Sequence, residues 1–371
     1  MNSSETQFFS EMSLSPALAQ ALKAMAFEKP TPIQAQAIPP AVEGRDVIGC
    51  AQTGTGKTAA FCIPLISRLE RHSFLSALIL VPTREIAAQI EKVLSLLTQG
   101  QPTLRPVLLI GGKSMDPQRR QLSRRPRIIV ATPGRLVDHL RQGSVRLESA
   151  GLLVLDEADR MLDMGFAPDL NRILQYLPPN RQTLLFTATL APEVEKLALR
   201  LLRKPVQIKV GTVSRPIAKI RQSVLETDQK QKSDVLLDEL NRRDGSVLIF
   251  TRTKRRTDKL AKFLDSYGHD VARLHGDRSQ AQRTAALDGF RSGKVRILVA
   301  TDVAARGIDV PHISHVINFD LPSVPEDYVH RIGRTARNGA GGEAVSFITP
   351  EDRQQWRAIQ KVIGTAGPTR Q

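Results

Sequence analysis

The chain has 371 residues, 41% hydrophobic and 24% charged, with 53 Lys and Arg against 37 Asp and Glu for a net charge of +16. That length suits two domains, the composition excludes a disordered chain, and no apolar run of about 18 residues is present to span a membrane; with no basic-then-apolar leader in MNSSETQFFSEM, the cytoplasm is the expected compartment. The positive excess favours a polyanion such as nucleic acid, and the 4% aromatic content points to contacts with a sugar-phosphate backbone rather than to base-stacking platforms.

The first informative stretch is CAQTGTGKTAAF, residues 50–61, which follows the apolar pair Val47 and Ile48. A Gly-rich turn between a strand and a helix aims backbone N–H groups at phosphates. Lys57 then reaches the β and γ oxygens, and Thr58 offers a hydroxyl to Mg²⁺. An ordinary Gly turn with an exposed Lys is the alternative, and a second, acidic site decides between them. Cys50 and Cys62 lie beside the loop at no zinc-ligand spacing and read as buried small apolar residues.

Short β-rich runs follow: ALILV (77–81), VLLI (107–110), RIIVAT (127–132), LLVL (152–155) and TLLFTAT (183–189). Alternating with helical patterns, they predict a parallel sheet covered on both faces. The alternation restarts at VLIFT (247–251), VARLHG (271–276), RILVAT (296–301), HVINF (315–319) and AVSFI (344–348). RIIVATPGR (127–135) matches RILVATDVA (296–304), and ALILVPTR (77–84) matches VLIFTRTK (247–254), so the second half repeats the first. KVGTVSRPIAK (209–219) reads as the linker. The repeat has no second Gly-Lys-Thr loop.

Directly after LLVL comes DEAD, Asp156 to Asp159. A carboxylate at the C-terminal end of a parallel strand lies in the crevice where such sheets bind ligands. Asp156 can hold Mg²⁺, and Glu157 can orient and deprotonate an attacking water. An exposed acidic turn is a poor alternative after four apolar residues.

This ordered series resembles the DEAD-box ATP-dependent RNA helicases of superfamily 2, with a likeness to bacterial RhlE-type members, over about residues 9–350. The resemblance implies an α/β protein of two tandem RecA-like domains, each a parallel sheet flanked by helices. Residues 1–208 form the ATP-binding domain, 209–219 the linker and 220–371 the C-terminal domain. It implies ATP and Mg²⁺ as cofactors, RNA as partner and a monomer. By position, Ala51, Gln52, Thr53, Gly54, Thr55, Gly56, Lys57 and Thr58 hold the nucleotide. FEKPTPIQ resembles the adenine-reading motif: Gln34 pairs with the adenine edge, Phe27 and Phe9 stack or pack beside it, and Lys29 belongs to the same stretch.

Pro82, Thr83 and Arg84, Gly111 and Gly112, and Thr132, Pro133, Gly134 and Arg135 match RNA-contact motifs, and a helix near Leu136 resembles the one that bends bound RNA. Thr251, Gly276, Thr301 and Asp302 match the RNA side of the second domain, and Asp309 matches a ribose contact. Arg334 and Arg337, three apart and on one face if helical, match arginine fingers; Ala336 stands where Gly is common. Asp159, Thr187, Thr189 and His330 match residues that couple the domains. An ATP-gated RNA clamp shares all these motifs and stays open as a rival, as does a DNA translocase. The basic runs 119–127 and 251–259 are either a wider electrostatic footprint or solvated faces. The scattered His72, His139, His269, His312 and His315 have no ligand spacing.

Overall fold

Apolar runs of four to seven residues bounded by turns are too short for buried helices, and each settles as a parallel strand. The computed structural model describes residues 8–51, 54–210, 220–305, 310, 313–325, 327–336 and 341–364, with the backbone of 369–370. Two units separate, Met1–Gly211 and Thr212–Gln371.

In the first unit the strands are β1 (Val47–Ala51), β2 (Ala77–Leu80), β3 (Pro106–Leu109), β4 (Ile128–Ala131), β5 (Leu152–Leu155), β6 (Gln182–Thr187) and β7 (Val206–Val210). All pair in parallel, in the order β3-β4-β2-β5-β6-β1-β7. The helices are α1 (Pro16–Ala24), α2 (Pro32–Val42), α3 (Lys57–Arg71), α4 (Arg84–Leu97), α5 (Met115–Leu122), α6 (Pro133–Arg141), α7 (Ala158–Asp163), α8 (Ala167–Leu174) and α9 (Pro192–Leu201). Because side chains alternate across a strand, Ala77 and Ile79 enter one core with Phe61 and Ile90, whereas Leu78 and Leu80 enter the other with Leu136 and Met161. Each fully buried Leu or Ile contributes about 1.5–3 kcal/mol, so both faces must be covered by helices.

The second unit contains β8 (Ile220–Glu226), β9 (Val247–Thr251), β10 (Val271–Leu274), β11 (Ile297–Thr301), β12 (His315–Asn318), β13 (Gly342–Ile348) and β14 (Thr369–Arg370). Its helices are α10 (Lys232–Asn241), α11 (Lys254–Ser266), α12 (Gln280–Arg291), α13 (Asp302–Ala305), α14 (Asp327–Ile332) and α15 (Arg353–Ile363). The sheet order is β10-β11-β9-β12-β13-β8-β14, again parallel. Subtracting seven from each label returns the order of the first sheet. The duplication read from two pairs of segments therefore extends to the whole topology, with β2 answering β9 and β4 answering β11.

Three local expectations change. Lys209 and Val210 belong to β7, not to a linker, because they pair with Cys50 and Ala51; residues 211–219 lie outside the described residues. Helix α6 starts at Pro133, with Thr132 as N-cap, three residues before Leu136, since proline at the first turn gives up no hydrogen bond. Helix α14 ends at Ile332, so Arg334 stands in the turn after it and the helical-face argument for the two arginines does not apply. Among the described residues no helix is long and apolar enough to cross a membrane.

Candidate functional site

The singled-out residues of the first unit gather at the C-terminal ends of its strands. Gly54 and Gly56 turn the chain after β1 with φ of 85° and 93°, a region that favours glycine. A Cβ at Gly56 would collide with the Gln34 amide nitrogen, so this position has no room for a side chain. Lys57 opens α3, is 6% exposed, and donates from Nζ to the Ala51 carbonyl at 2.7 Å. Thr58 is half-buried, and Gln52 and Thr53 lie outside the described residues.

Gln34 caps α2. Its Oε1 accepts the Thr31 N–H at 2.8 Å, while its Nε2 donates to the Gly56 carbonyl at 3.0 Å. The amide expected to read adenine is thus already tied to the phosphate loop. Phe9 is 5% exposed and its ring stacks on Phe27 at 6.0 Å, so this pair packs rather than presenting two free faces. Lys29 reaches instead over Phe8, 5.4 Å from the ring centre.

Asp156 follows β5 directly, its N–H bonded to the Leu80 carbonyl at 3.0 Å. Burial pushes its pKa up to about 7 against the pull of Lys57, with Glu157 adding to the rise. Glu157 sits at φ 54°, donates its N–H to Asp156 Oδ1 at 3.0 Å, and pairs with Arg160 at 2.5 Å. Arg160 went unnoticed in the sequence, although its i,i+3 spacing from Glu157 was the available signal. Asp159 accepts on Oδ2 from the N–H groups of Ala188 and Thr189, at 3.1 and 2.9 Å, and from the Thr189 hydroxyl at 3.1 Å. Burial alone would raise the Asp159 pKa, but Lys57 and the N–H groups of Thr189 and Arg160 hold it below the usual carboxylate value. Thr187 Oγ1 donates to the Thr189 carbonyl at 2.7 Å. Cys62 is buried as expected; Cys50 is only half-buried, its thiol on the Ala188 carbonyl at 3.4 Å.

These residues fit a nucleoside triphosphate with Mg²⁺: a glycine turn without space for side chains, a buried lysine, and an acid close enough to feel it. Among the described residues no cluster of three or more His, Cys, Asp or Glu could hold a metal ion.

The motifs after β2, β3 and β4 meet one another. The Arg84 guanidinium lies against the backbone of Gly111 and Gly112: a Cβ at Gly111 would come within 3.0 Å of Arg84 Nη2, and one at Gly112 would collide with Nη1. The Thr83 hydroxyl caps α4 after Pro82, Thr132 stands at the N-cap position of α6 with its hydroxyl making no cap bond, ahead of Pro133 and Gly134, and Arg135 donates to the Lys113 carbonyl at 2.8 Å. Hydroxyls, N–H groups and guanidinium groups thus share one strip, as backbone recognition requires.

In the second unit Thr251 is fully buried, its hydroxyl on Thr257 Oγ1 at 2.7 Å. A Cβ at Gly276 would come within 3.3 Å of the Lys254 side chain, repeating the Arg84–Gly111 arrangement. Thr301 ends β11 and is 8% exposed. Asp302, expected near RNA phosphates, has its carboxylate occupied by Arg331 through Nε at 2.5 Å and Nη2 at 2.7 Å. Arg334 is 4% exposed and donates from Nε to the His330 carbonyl at 3.3 Å. Asp309 and Arg337 lie outside the described residues.

Residues 31–197 match the family model described as DEAD/DEAH box helicase, and residues 229–339 match the helicase conserved C-terminal domain. The chain is similar to the DEAD-box ATP-dependent RNA helicase CshA of Geobacillus kaustophilus, 44% identical over 355 residues, covering 95% of this chain and 76% of that one. It is 45% identical over 356 residues to the CshA helicase of Bacillus subtilis, covering 95% and 72%. Among solved structures it resembles S. cerevisiae Dbp5 bound to RNA and ADP BeF3, with TM-score 0.85, 33% identity and 99% and 96% of the two chains covered. It also resembles Mss116 bound to ssRNA and UDP-BeF, with TM-score 0.88, 31% identity and coverage of 98% and 79%.

Proposed function

This chain belongs to the DEAD-box family of ATP-dependent RNA helicases, and we propose from that membership how its own residues divide the work. It hydrolyses ATP and acts on RNA. The carrying observation is that Lys57, Asp156, Glu157 and Gln34 converge at the C-terminal edge of one sheet, next to the Gly-rich turn.

In this reading Gln34 selects adenine, releasing the Gly56 carbonyl to do so, and the residues from Ala51 to Thr58 receive the phosphates. Asp156 and Thr58 would hold Mg²⁺, which when bound neutralises charge on the phosphate oxygens. Glu157 orients the attacking water and takes its proton, leaving its pairing with Arg160. Arg334 and Arg337 stabilise charge on the transferring phosphoryl group once RNA engages both units, and Asp309 holds the ribose. Asp159 relays the state of the acidic motif to Thr189. Arg84, Gly111, Gly112, Thr132 and Arg135, with Thr251, Gly276 and Thr301 of the second unit, line the RNA path. The Asp302 carboxylate, held by Arg331, shapes that path rather than meeting phosphates.

Contacts with phosphate and 2′-hydroxyl groups make recognition sequence-independent and salt-sensitive. The RhlE-type likeness has no support among the relatives named above, which are CshA helicases, so the reading stays at family level. We read residues 1–210 and 220–371 as its two domains and the protein as a cytoplasmic monomer, a reducing compartment suiting the free Cys50 and Cys62.

The test is ATP turnover with and without duplex RNA, scored together with strand release and with matched DNA as control. RNA-stimulated turnover with strand release is expected. ATP-dependent holding of RNA without release would turn the reading to a clamp, and equal stimulation by DNA would remove RNA specificity.

A further inference from the structure

The identical topology of the two sheets allows their strand ends to be compared position by position. In the first unit β1 ends at Ala51 and α3 begins at Lys57; in the second β8 ends at Glu226 and α10 begins at Lys232. The intervening segments, 52–56 and 227–231, both have five residues. Lys232 therefore stands where the phosphate-loop lysine stands. Like Lys57 it is buried, at 1% exposure against 6%.

The acid has its counterpart as well. The Asp156 N–H bonds the Leu80 carbonyl at 3.0 Å, and the Asp320 N–H bonds the Phe250 carbonyl at 3.1 Å. Leu80 pairs with Leu155 at the end of β5, and Phe250 pairs with Asn318 at the end of β12, so the two acids follow equivalent strands beside equivalent partners. Asp320 differs only by one inserted residue, Phe319.

The segment TDQKQ between β8 and α10 contains no glycine, so it lacks the left-handed turns that Gly54 and Gly56 provide. Two carboxylates meet this lysine directly. Lys232 Nζ is 3.5 Å from Asp320 Oδ1 and 3.7 Å from Asp352 Oδ2, over the Phe319 ring at 5.2 Å.

We propose that the Lys232–Asp320 pair gives the second unit a fixed lysine–carboxylate contact that needs no nucleotide, and that Lys232 is a positioning residue for the strand ends that meet RNA. This rests on the RNA reading given above. Lys232 acts through Asp320, whose carboxylate also accepts the Arg252 N–H at 2.9 Å and pairs with Arg256 at 3.1 Å. The Asp320 carbonyl accepts from Arg331 Nη1 at 2.5 Å, and the same guanidinium grips Asp302. One buried acid thereby ties together the ends of β9 and β12 and, through Arg331, the start of α13. A unit that needs nucleotide would lose this order at each turnover; here it is permanent.

The test uses Lys232→Met in the full chain, with Lys232→Arg as the conservative rescue. Lys232→Met should raise the RNA concentration for half-maximal ATPase stimulation about tenfold. The ATP dissociation constant should stay within about twofold, because the first unit is untouched. Lys232→Arg should restore the RNA response. Should Lys232→Met fail to fold, the charge-balanced pair Lys232→Met with Asp352→Asn serves, with the same shift expected. An unchanged RNA response in a folded variant, or one accompanied by only a lower melting temperature, would overturn the proposal. Amide exchange in the same proteins without RNA decides positioning independently. Faster exchange confined to residues 251–253, 302–305 and 331–334 is expected, and uniform acceleration or none counts against it. If the parent ATPase ignores RNA while this local change appears, the RNA reading falls and the positioning role stands.

Discussion

Asp159 and Thr189 are joined twice: one carboxylate oxygen accepts both the Thr189 N–H, at 2.9 Å, and its hydroxyl, at 3.1 Å. The acidic motif after β5 and the Thr-Ala-Thr stretch at the end of β6 are therefore linked through one side chain. Thr189→Ala removes the hydroxyl bond and keeps the backbone bond. It should cost about 1 kcal/mol of stability and lower the number of strands released per ATP hydrolysed, with the ATP dissociation constant unchanged. Parallel turnover and strand-release assays check this; an unchanged ratio would remove the relay.

Lys57→Ala should abolish ATP turnover, and strand release with it. The Lys57 ammonium rests on the Ala51 carbonyl, directly behind the glycine turn, where phosphate oxygens would take the carbonyl's place. Turnover at the parental rate would remove the phosphate-loop assignment.

Glu157→Gln keeps the shape of the side chain but loses its charge. It should slow hydrolysis about 10²–10⁴-fold while ATP and RNA still bind, as expected for loss of a general base. The buried Arg160 then loses its ionic partner, so the variant should also melt below the parent. RNA release in the presence of ATP, followed by fluorescence, should become slower than in the parent; equal release rates would contradict the proposed cycle.

Arg334→Ala should leave ATP binding by the first unit nearly intact while removing RNA stimulation, a loss of about 10³–10⁵ in rate, or roughly 4–7 kcal/mol. The comparison is ATPase rate against RNA concentration for the parent, Arg334→Ala and residues 1–210. Full stimulation in either altered protein would mean that the second unit does not complete the reaction.

Asp156 gives a pH signature in the nucleotide-free protein. Its folded pKa, about 7, lies above the unfolded value of 3.8. Between those values the native state keeps a proton that the unfolded state has lost, so stability falls as pH rises through about 7 and levels off above about pH 8. Asp156→Asn removes that slope. Its advantage over the parent should grow between pH 5 and 7, by about 1.4 kcal/mol per unit at most, more slowly from pH 7 to 8, and no further above that. Denaturant melts of both proteins across that range give the comparison, and parallel curves would count against the raised value.

Chemistry that depends on residue type at fixed spacing is legible in the sequence alone. Triphosphate binding demands small residues, a lysine and a hydroxyl within one turn, so Gly54 to Thr58 announced themselves, and Asp156 did so by following four apolar residues. Parallel strands buried on both faces read as continuous apolar runs, so the inner strands were visible. Strands β7 and β8 were not, because their burial alternates along the strand and the polar positions hid them. Long-range partners were decided by the tertiary structure alone. The Arg84 guanidinium lies against Gly112, 28 positions along the chain, and Arg331 holds Asp302, 29 positions away. In the same way Gln34 meets the Gly56 carbonyl only because α2 packs beside the glycine turn. Which side chain a buried charge or amide finds depends on strand order and register, and these follow from the packing of both faces at once rather than from any local stretch.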